Sequence, residues 1–203
     1  PVEILGGPGP FVIENGWTLN LKYNGGALQT FTFSSTAAVS LGSAQVSAIN
    51  LADGDDIQVT VDALGALVFT FEDDPAYFPD GIADATAQQV VDFLSDTAPQ
   101  LTWAVNAGAV EATSQRAGSD SLINFTGGTA TTKLGLTDSA GTGDFAFADA
   151  AEASEVATEI NLTATGFTAV AIGTRLQLVS DDSGEVIYIE LLEGEVNDNL
   201  GLE

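Results

Sequence analysis

Residues 16–33 read GWTLNLKYNGGALQTFTF, and residues 54–71, which lie 38 positions further along, read GDDIQVTVDALGALVFTF. Both stretches alternate apolar and polar residues, contain a turn and end in Phe-Thr-Phe. Alternation with a period of two indicates half-buried strands, and Asn24-Gly25-Gly26 and Asp62–Gly65 can supply the positive φ angles of a hairpin turn. The sequence therefore predicts two related β-hairpins.

A second repeat aligns residues 85–136 with residues 151–202, a shift of 66 positions without a gap. Each copy opens with apolar residues at i, i+3, i+4 and i+7, which predicts an amphipathic helix. These residues are Ala87, Val90, Val91 and Leu94 in the first copy and Ala153, Val156, Ala157 and Ile160 in the second. Strands are predicted to follow at 101–105, 110–114 and 121–125 and, in the second copy, at 167–171, 176–180 and 186–190. Both copies close on Leu-Gly-Leu.

The four pieces occur in the order hairpin, hairpin, helix with strands, helix with strands. If one hairpin and one helical half make a unit, the two middle pieces form a contiguous unit and the two outer pieces form its duplicate. We therefore predict a strand-rich α+β protein of two related domains, each with a β-hairpin, one helix and further antiparallel strands, one domain being inserted into the other. The predicted ranges are 1–48 plus 143–203 for the outer domain, 49–137 for the inserted domain and 138–142 for a linker. The alternative is two interleaved halves that form a single fused fold.

The charge balance excludes several classes of partner. Asp and Glu number 29 against 4 Lys and Arg, so the formal net charge is -25. We expect no binding to nucleic acid and none to an anionic membrane, since four cations cannot form the basic face that phosphates require. The chain has no Cys and no His, which excludes disulfides, zinc fingers, thiol nucleophiles and histidine-based triads. A hydrophobic fraction of 45% is still enough for a folded core.

The acidic residues are spread along the whole chain, which favours a protein from a high-salt habitat. At about 1 M salt the Debye length falls to about 3 Å, and a surface of one sign becomes tolerable. An acidic protein without a special habitat is the alternative. The residues from Pro1 onward show no signal-peptide pattern and no stretch reaches the roughly 18 apolar residues of a membrane span, so we expect synthesis in the cytoplasm.

Two residue patterns resemble a module of virion structural proteins from tailed phages and archaeal tailed viruses. The first is Pro-Phe-x-Ile, Gly-x-Thr-Leu-x-Leu-x-x-Asn-Gly-Gly and Gln-Thr-Phe-Thr-Phe within residues 10–33. The second is Asp-Phe and Ala-x-Glu-Val-Ala-x-Glu-Ile-Asn within 144–161, with Leu-x-Leu-x-Ser at 176–180 and Asn-Leu-Gly-Leu at 199–202. The resemblance implies small domains that decorate heads, necks, tails or fibres and, with the acidic composition, a haloarchaeal tailed virus as the source. Its motifs carry no catalytic residue.

Carboxylates are the candidate ligands for a metal ion. The calcium candidates are Asp53, Asp55, Asp56, Asp73, Asp74, Asp181 and Asp182. Asp-rich turns supply the oxygen ligands that Ca²⁺ or another structural cation takes, but the EF-hand pattern is absent, and plain solvated loops are the alternative. No spacing marks the carboxylate pair of a glycosidase, so we expect no catalytic residue and no cofactor. Trp103 is predicted to lie in the core, with sugar stacking as the alternative.

These observations favour a non-enzymatic structural protein of a virion, either a capsid decoration or turret component or a tail, baseplate or fibre component. The expected partners are other virion proteins, namely capsid or tail subunits, and further copies of the same chain, because virion components act in symmetric assemblies. The alternative is an extracellular or cell-surface binding module of a halophile, for example one for glycans.

Overall fold

The computed structural model describes residues 1–45, 48–183 and 187–202, and their fold is strand-rich α+β, as predicted. The chain divides into two compact units. The first unit consists of Pro1–Thr36, Ala117–Asp120 and Thr142–Glu203, and the second consists of Ala37–Arg116 and Ser121–Gly141. Each unit has its own hydrophobic core, so the fused single fold is wrong.

The strands and helices follow one another in a mixed order along the described residues. The strands are β1 (Glu3–Pro8), β2 (Thr18–Tyr23), β3 (Leu28–Thr32), β4 (Ser35–Leu41), β5 (Asp56–Val61), β6 (Leu67–Thr70), β7 (Leu101–Asn106), β8 (Ala109–Ala117), β9 (Leu122–Gly127), β10 (Ser139–Ala140), β11 (Thr142–Gly143), β12 (Phe167–Ile172), β13 (Arg175–Ser180) and β14 (Ile189–Leu191). The α-helices are α1 (Ala87–Thr97), α2 (Thr129–Leu134), α3 (Ala153–Asn161) and α4 (Glu195–Leu200). Short 3-10 helices at Ile82–Asp84 and Ala148–Ala150 precede α1 and α3. The strand predicted at 186–190 begins at Val186, which lies outside the described residues.

The first unit contains two three-stranded antiparallel sheets, with the strand orders β1-β13-β12 and β14-β2-β3. The helix α3 packs against β12 and β13, and α4 packs against β2 and β1. The buried residues of α3 are the predicted ones, Ala153, Val156, Ala157 and Ile160. The apolar stripe of the sequence therefore faces the core of this unit.

The second unit repeats this layout with the orders β4-β8-β7 and β9-β5-β6. Its helix α1 buries Val90, Val91 and Leu94, as predicted, and also Phe93. The short strand β10 extends one sheet by pairing with β9. The strand β11 pairs with the first two residues of β4, which are assigned to the first unit.

The two units are duplicates element by element. A shift of 38 residues carries β2 onto β5, and a shift of 66 carries β7 onto β12, α2 onto α4 and one 3-10 helix onto the other, all without a change of length. The hairpin turns also agree, because Asn24 and Asp62 both adopt a left-handed backbone, with φ of 51° and 49°. Two related domains, one inserted into the other, are therefore the fold of this chain.

A third repeat relates β1 to β4 and lies outside the predicted ones. Gly6 and Gly42 are equivalent, because a Cβ atom on Gly6 would collide with the carbonyl oxygen of Leu200 and one on Gly42 with that of Leu134. The carbonyl that ends a helix approaches the strand closely in both units, and only glycine leaves room for it. The spacing here is 36 residues instead of 38, so this repeat lies out of step with the hairpins.

The start of the second unit differs from the predicted boundary at residue 48. Residues 37–45 belong to this unit, since Ala38 is fully buried in its core and the Gly42 N–H donates to the Val110 oxygen at 2.9 Å. The physical reason is that a hairpin and a helix leave one sheet a strand short. In the second unit β4 completes that sheet, as β1 does in the first.

Two further boundaries are corrected. The predicted linker contains residues 138–141, but these belong to the second unit, where β10 adds a strand beside β9. The predicted inserted domain contains residues 117–120, but these belong to the first unit, where the Ser119 N–H donates to the Phe145 oxygen at 2.8 Å. Backbone hydrogen bonds that span long sequence distances decide both assignments, and local composition does not reveal them.

Candidate functional site

Asp55 and Asp56 stand at the start of β5, where protein groups bind both carboxylates. The buried Asp55 accepts hydrogen bonds from Lys133 Nζ at 2.6 Å and Thr129 Oγ1 at 2.7 Å. It also accepts one from the Ala52 N–H at 2.7 Å. Burial acts to raise the pKa of Asp55, but these donors outweigh burial and hold the pKa below its usual range. Asp55 therefore fastens α2 to β5 and is saturated by protein donors.

Asp53, Asp73 and Asp74 line an open pocket of about 590 Å³ together with Glu72 and Pro75. Each of the three aspartates has one oxygen bound to backbone. The Asp53 carboxylate accepts from the Asp73 N–H at 3.2 Å, and that of Asp73 accepts from the Ile82 N–H at 2.8 Å. The Asp74 carboxylate accepts from the Ala76 N–H at 2.8 Å. These carboxylates stabilise the turns between β6 and the first 3-10 helix.

Asp181 and Asp182 follow β13 in the first unit. Thr168 Oγ1 donates to Asp181 at 2.8 Å, and the Tyr23 hydroxyl donates to Asp182 at 3.0 Å. Burial, with the neighbouring Asp182 carboxylate adding to it, raises the pKa of Tyr23. Both aspartates thus connect neighbouring elements of one unit.

The seven calcium candidates fall into these three places and are not brought together. Over residues 1–45, 48–183 and 187–202, no group of three or more acidic side chains is arranged to hold a metal ion. Calcium takes six to eight oxygen ligands, and the described carboxylates are bound to backbone and side-chain donors instead. The geometry gives the calcium expectation no support.

Glu159 is the described carboxyl group whose pKa is raised, as a general acid requires. Burial is the main cause, and the charge of Asp144 adds to it. Asp144 is itself bound to Ser34, whose N–H and Oγ donate to its two oxygens at 2.6 and 3.0 Å. The pair is therefore explained by packing within the first unit, and no catalytic role follows from it.

Trp103 is buried in the second core, as predicted, with 6% of its surface exposed. Its indole Nε1 donates to the Ala98 oxygen at 3.0 Å. A ring enclosed and bonded in this way offers no face to a sugar, so the alternative of sugar stacking is wrong for Trp103.

The surface that stands out is one side of the β1-β13-β12 sheet, which we call the outer face. Its members are Glu3 and Leu5 of β1, Arg175, Gln177 and Val179 of β13, and Thr168, Val170 and Ile172 of β12. The strand register arranges them in three rows, which are Glu3, Val179 and Thr168, then Leu5, Gln177 and Val170, then Arg175 and Ile172. Side chains on neighbouring strands in register share a face, and the alternate residues Leu176, Leu178 and Ala169 are buried.

The outer face is apolar at its centre, and its own charges cancel. Leu5, Val170 and Ile172 are 47%, 40% and 50% exposed. Glu3 and Arg175 supply one negative and one positive charge, in a chain where acids outnumber cations 29 to 4. Exposed apolar side chains that adjoin on one sheet mark a contact surface. Sequence reasoning missed this surface because its residues come from two distant parts of the chain.

The equivalent surface of the second unit lacks these properties. The counterparts of Val170, Ile172 and Gln177, 66 residues earlier, are Ala104, Asn106 and Glu111. Asn106 Nδ2 donates to the Glu111 carboxylate at 2.7 Å, so this surface is polar and carries an acid at its centre. The apolar outer face is therefore a property of the first unit and not a by-product of the shared fold.

Comparison with protein-family models, with curated proteins and with solved structures finds no match to this chain. Among the described helices, none has both the length and the apolar character that crossing a membrane demands. The residues and surfaces described above are therefore what bears on the function of this protein.

Proposed function

We propose that the protein is a non-enzymatic structural component of a tailed-virus virion that acts by protein–protein assembly in high salt. The observation that carries the assembly function is the outer face, an exposed apolar surface with balanced charges on a chain of net charge -25. An acidic surface keeps copies apart, whereas a neutral apolar surface lets them bind. The virion assignment draws its support from the residue patterns within 10–33 and 144–161.

The proposed location is the head, as a capsid decoration or turret component, with a tail, baseplate or fibre position as the second choice. The partners are capsid or tail subunits and further copies of the same chain. The protein is made in the host cytoplasm and becomes part of the virion. Neither nucleic acid nor a membrane is a partner, because four cations provide no basic surface.

Quantitative mass spectrometry of purified particles tests this proposal. Particles are banded on a density gradient in high salt, and the ratio of this chain to the major capsid protein is measured in every fraction. A constant ratio across the particle band is expected, while an abundant acidic host protein serves as the control and changes its ratio from fraction to fraction. Absence of the chain from the band would overturn the proposal, and its recovery with the host cell envelope would favour the extracellular binding module.

A further inference from the structure

We infer that the outer face binds the outer face of a second copy of this chain in a twofold-symmetric dimer. The inference deepens the proposed assembly function and rests on it for its role in a particle. Three features support the dimer, which are the charge of the face, the arrangement of its rows, and its difference from the equivalent surface of the second unit.

The charge of the chain favours a second copy that approaches through this face. Two molecules of charge -25 repel each other wherever their acidic surfaces meet. The outer face replaces that repulsion by apolar contact between Leu5, Val170 and Ile172 and their symmetry mates. A like-charged molecule can therefore dock here at the lowest electrostatic cost.

The rows of the outer face are self-complementary under one particular axis. A twofold axis that lies in the interface along the middle row, from Leu5 to Val170, places the first row of one copy over the third row of the other. The first row contains Glu3, and Asp181 adjoins it through its bond to Thr168. The third row contains Arg175. The acidic end of each copy thus meets the cation of the other, and this happens twice.

The size of the face sets the strength of this dimer. Three strands about 4.8 Å apart and six residues long at about 3.3 Å per residue give about 300 Å² per copy, or about 600 Å² in total. Stable complexes bury at least about 1,200 Å². The dimer is therefore weak alone, with a dissociation constant on the order of 0.1 mM to 1 mM, and many copies on one particle would add their contacts.

Sedimentation equilibrium of the full chain at up to about 1 mM protein, in 0.1 M and 2 M NaCl, measures this dimer. We expect association in 2 M salt and at least about tenfold weaker association in 0.1 M salt, where the repulsion is less screened. The variants Val170→Asp and Ile172→Asp should each abolish the dimer. The matched controls Ala104→Asp and Asn106→Asp add the same charge at the equivalent positions of the second unit and should leave the dimer within about twofold of the unmodified chain.

A charge exchange tests the axis itself. Glu3→Arg and Arg175→Glu should each weaken the dimer at least about tenfold, since each brings like charges together twice. An equimolar mixture of the two variants should recover association, because the first variant is then basic and the second acidic at both exchanged positions, so that opposite charges face each other in both contacts. Thermal melting of each variant establishes that it is folded.

Three results would overturn the inference. They are a chain that stays monomeric at about 1 mM in 2 M salt, a dimer that survives Ile172→Asp, and variants that do not recover on mixing. Because these measurements use the isolated chain, such a failure leaves the particle measurement untouched. A chain absent from particles that still dimerises in this way would instead remove the proposed function and keep the dimer.

Discussion

Glu159 in α3 occupies the position that Phe93 has in α1, 66 residues earlier. Phe93 is buried and stacks on Phe71, with ring centroids 5.0 Å apart. In the first unit the ring equivalent to Phe71 is Phe33, which packs on Phe145 with centroids 5.5 Å apart. A different phenylalanine thus fills this part of the core, and the helix position is left to a half-buried carboxyl group.

This exchange makes a prediction for Glu159→Gln. A carboxyl group whose pKa is raised by folding destabilises the folded state above that pKa, and the penalty disappears as the pH falls below the unfolded value of about 4.3. At pH 7 the variant should therefore raise the free energy of unfolding of the first unit by up to about 1 kcal/mol, and at pH 4 the gain should shrink toward zero. Urea unfolding at both pH values measures the difference.

Glu14→Gln is the control for this prediction. It removes one negative charge from an exposed position of the same unit, so it reports the general effect of lowering the net charge. Equal gains for the two variants at pH 7 would show that the burial of Glu159 plays no part.

At the scale of elements, β12 is an edge strand that α3 protects through one side chain. Asn161, the last residue of α3, donates from Nδ2 to the Ala169 oxygen at 2.7 Å and accepts from the Ala169 N–H at 2.8 Å. The amide therefore completes both backbone groups of Ala169, as a neighbouring strand would. The equivalent residue of the second unit, Ser95, instead donates to the Val91 oxygen within its own helix.

Asn161→Ala should accordingly destabilise the first unit by about 1–3 kcal/mol, because two backbone groups lose their partners. Hydrogen exchange at the Ala169 amide should accelerate more than exchange elsewhere in β12. Ser95→Ala is the matched control in the second unit and should cost less than about 1 kcal/mol. Unchanged protection of Ala169 in the Asn161 variant would contradict this role of the amide.

The elements with a local period could be predicted from the sequence, and those without one could not. The hairpins alternate every second residue and the helices repeat every three to four, so each pattern lies within about ten neighbouring residues. Glu3–Pro8 reads Glu-Ile-Leu-Gly-Gly-Pro, where a nearby carbonyl oxygen requires glycine at position 6 and the alternation is lost. Its strand partner, β13, lies at the other end of the chain, and so does most of the outer face.

At the scale of the whole molecule, the charge of -25 predicts stability that depends on salt. Between about 0.1 and 2 M NaCl the Debye length falls from about 10 Å to below 3 Å, and repulsion between exposed carboxylates is screened. The melting temperature of the chain should therefore rise steeply over this range, which calorimetry at a fixed low protein concentration measures. A melting temperature that stays flat would contradict adaptation to high salt.

The nesting of the second unit inside the first also fixes an order of events on the ribosome. The second unit is complete once residue 141 has emerged, whereas Glu3 pairs with Val179 and must wait for it. At about 5–20 residues per second this wait lasts roughly 10–35 s. Since the outer face needs β1, β12 and β13 together, a chain cut short before β13 never displays it, and assembly through this face selects full-length molecules.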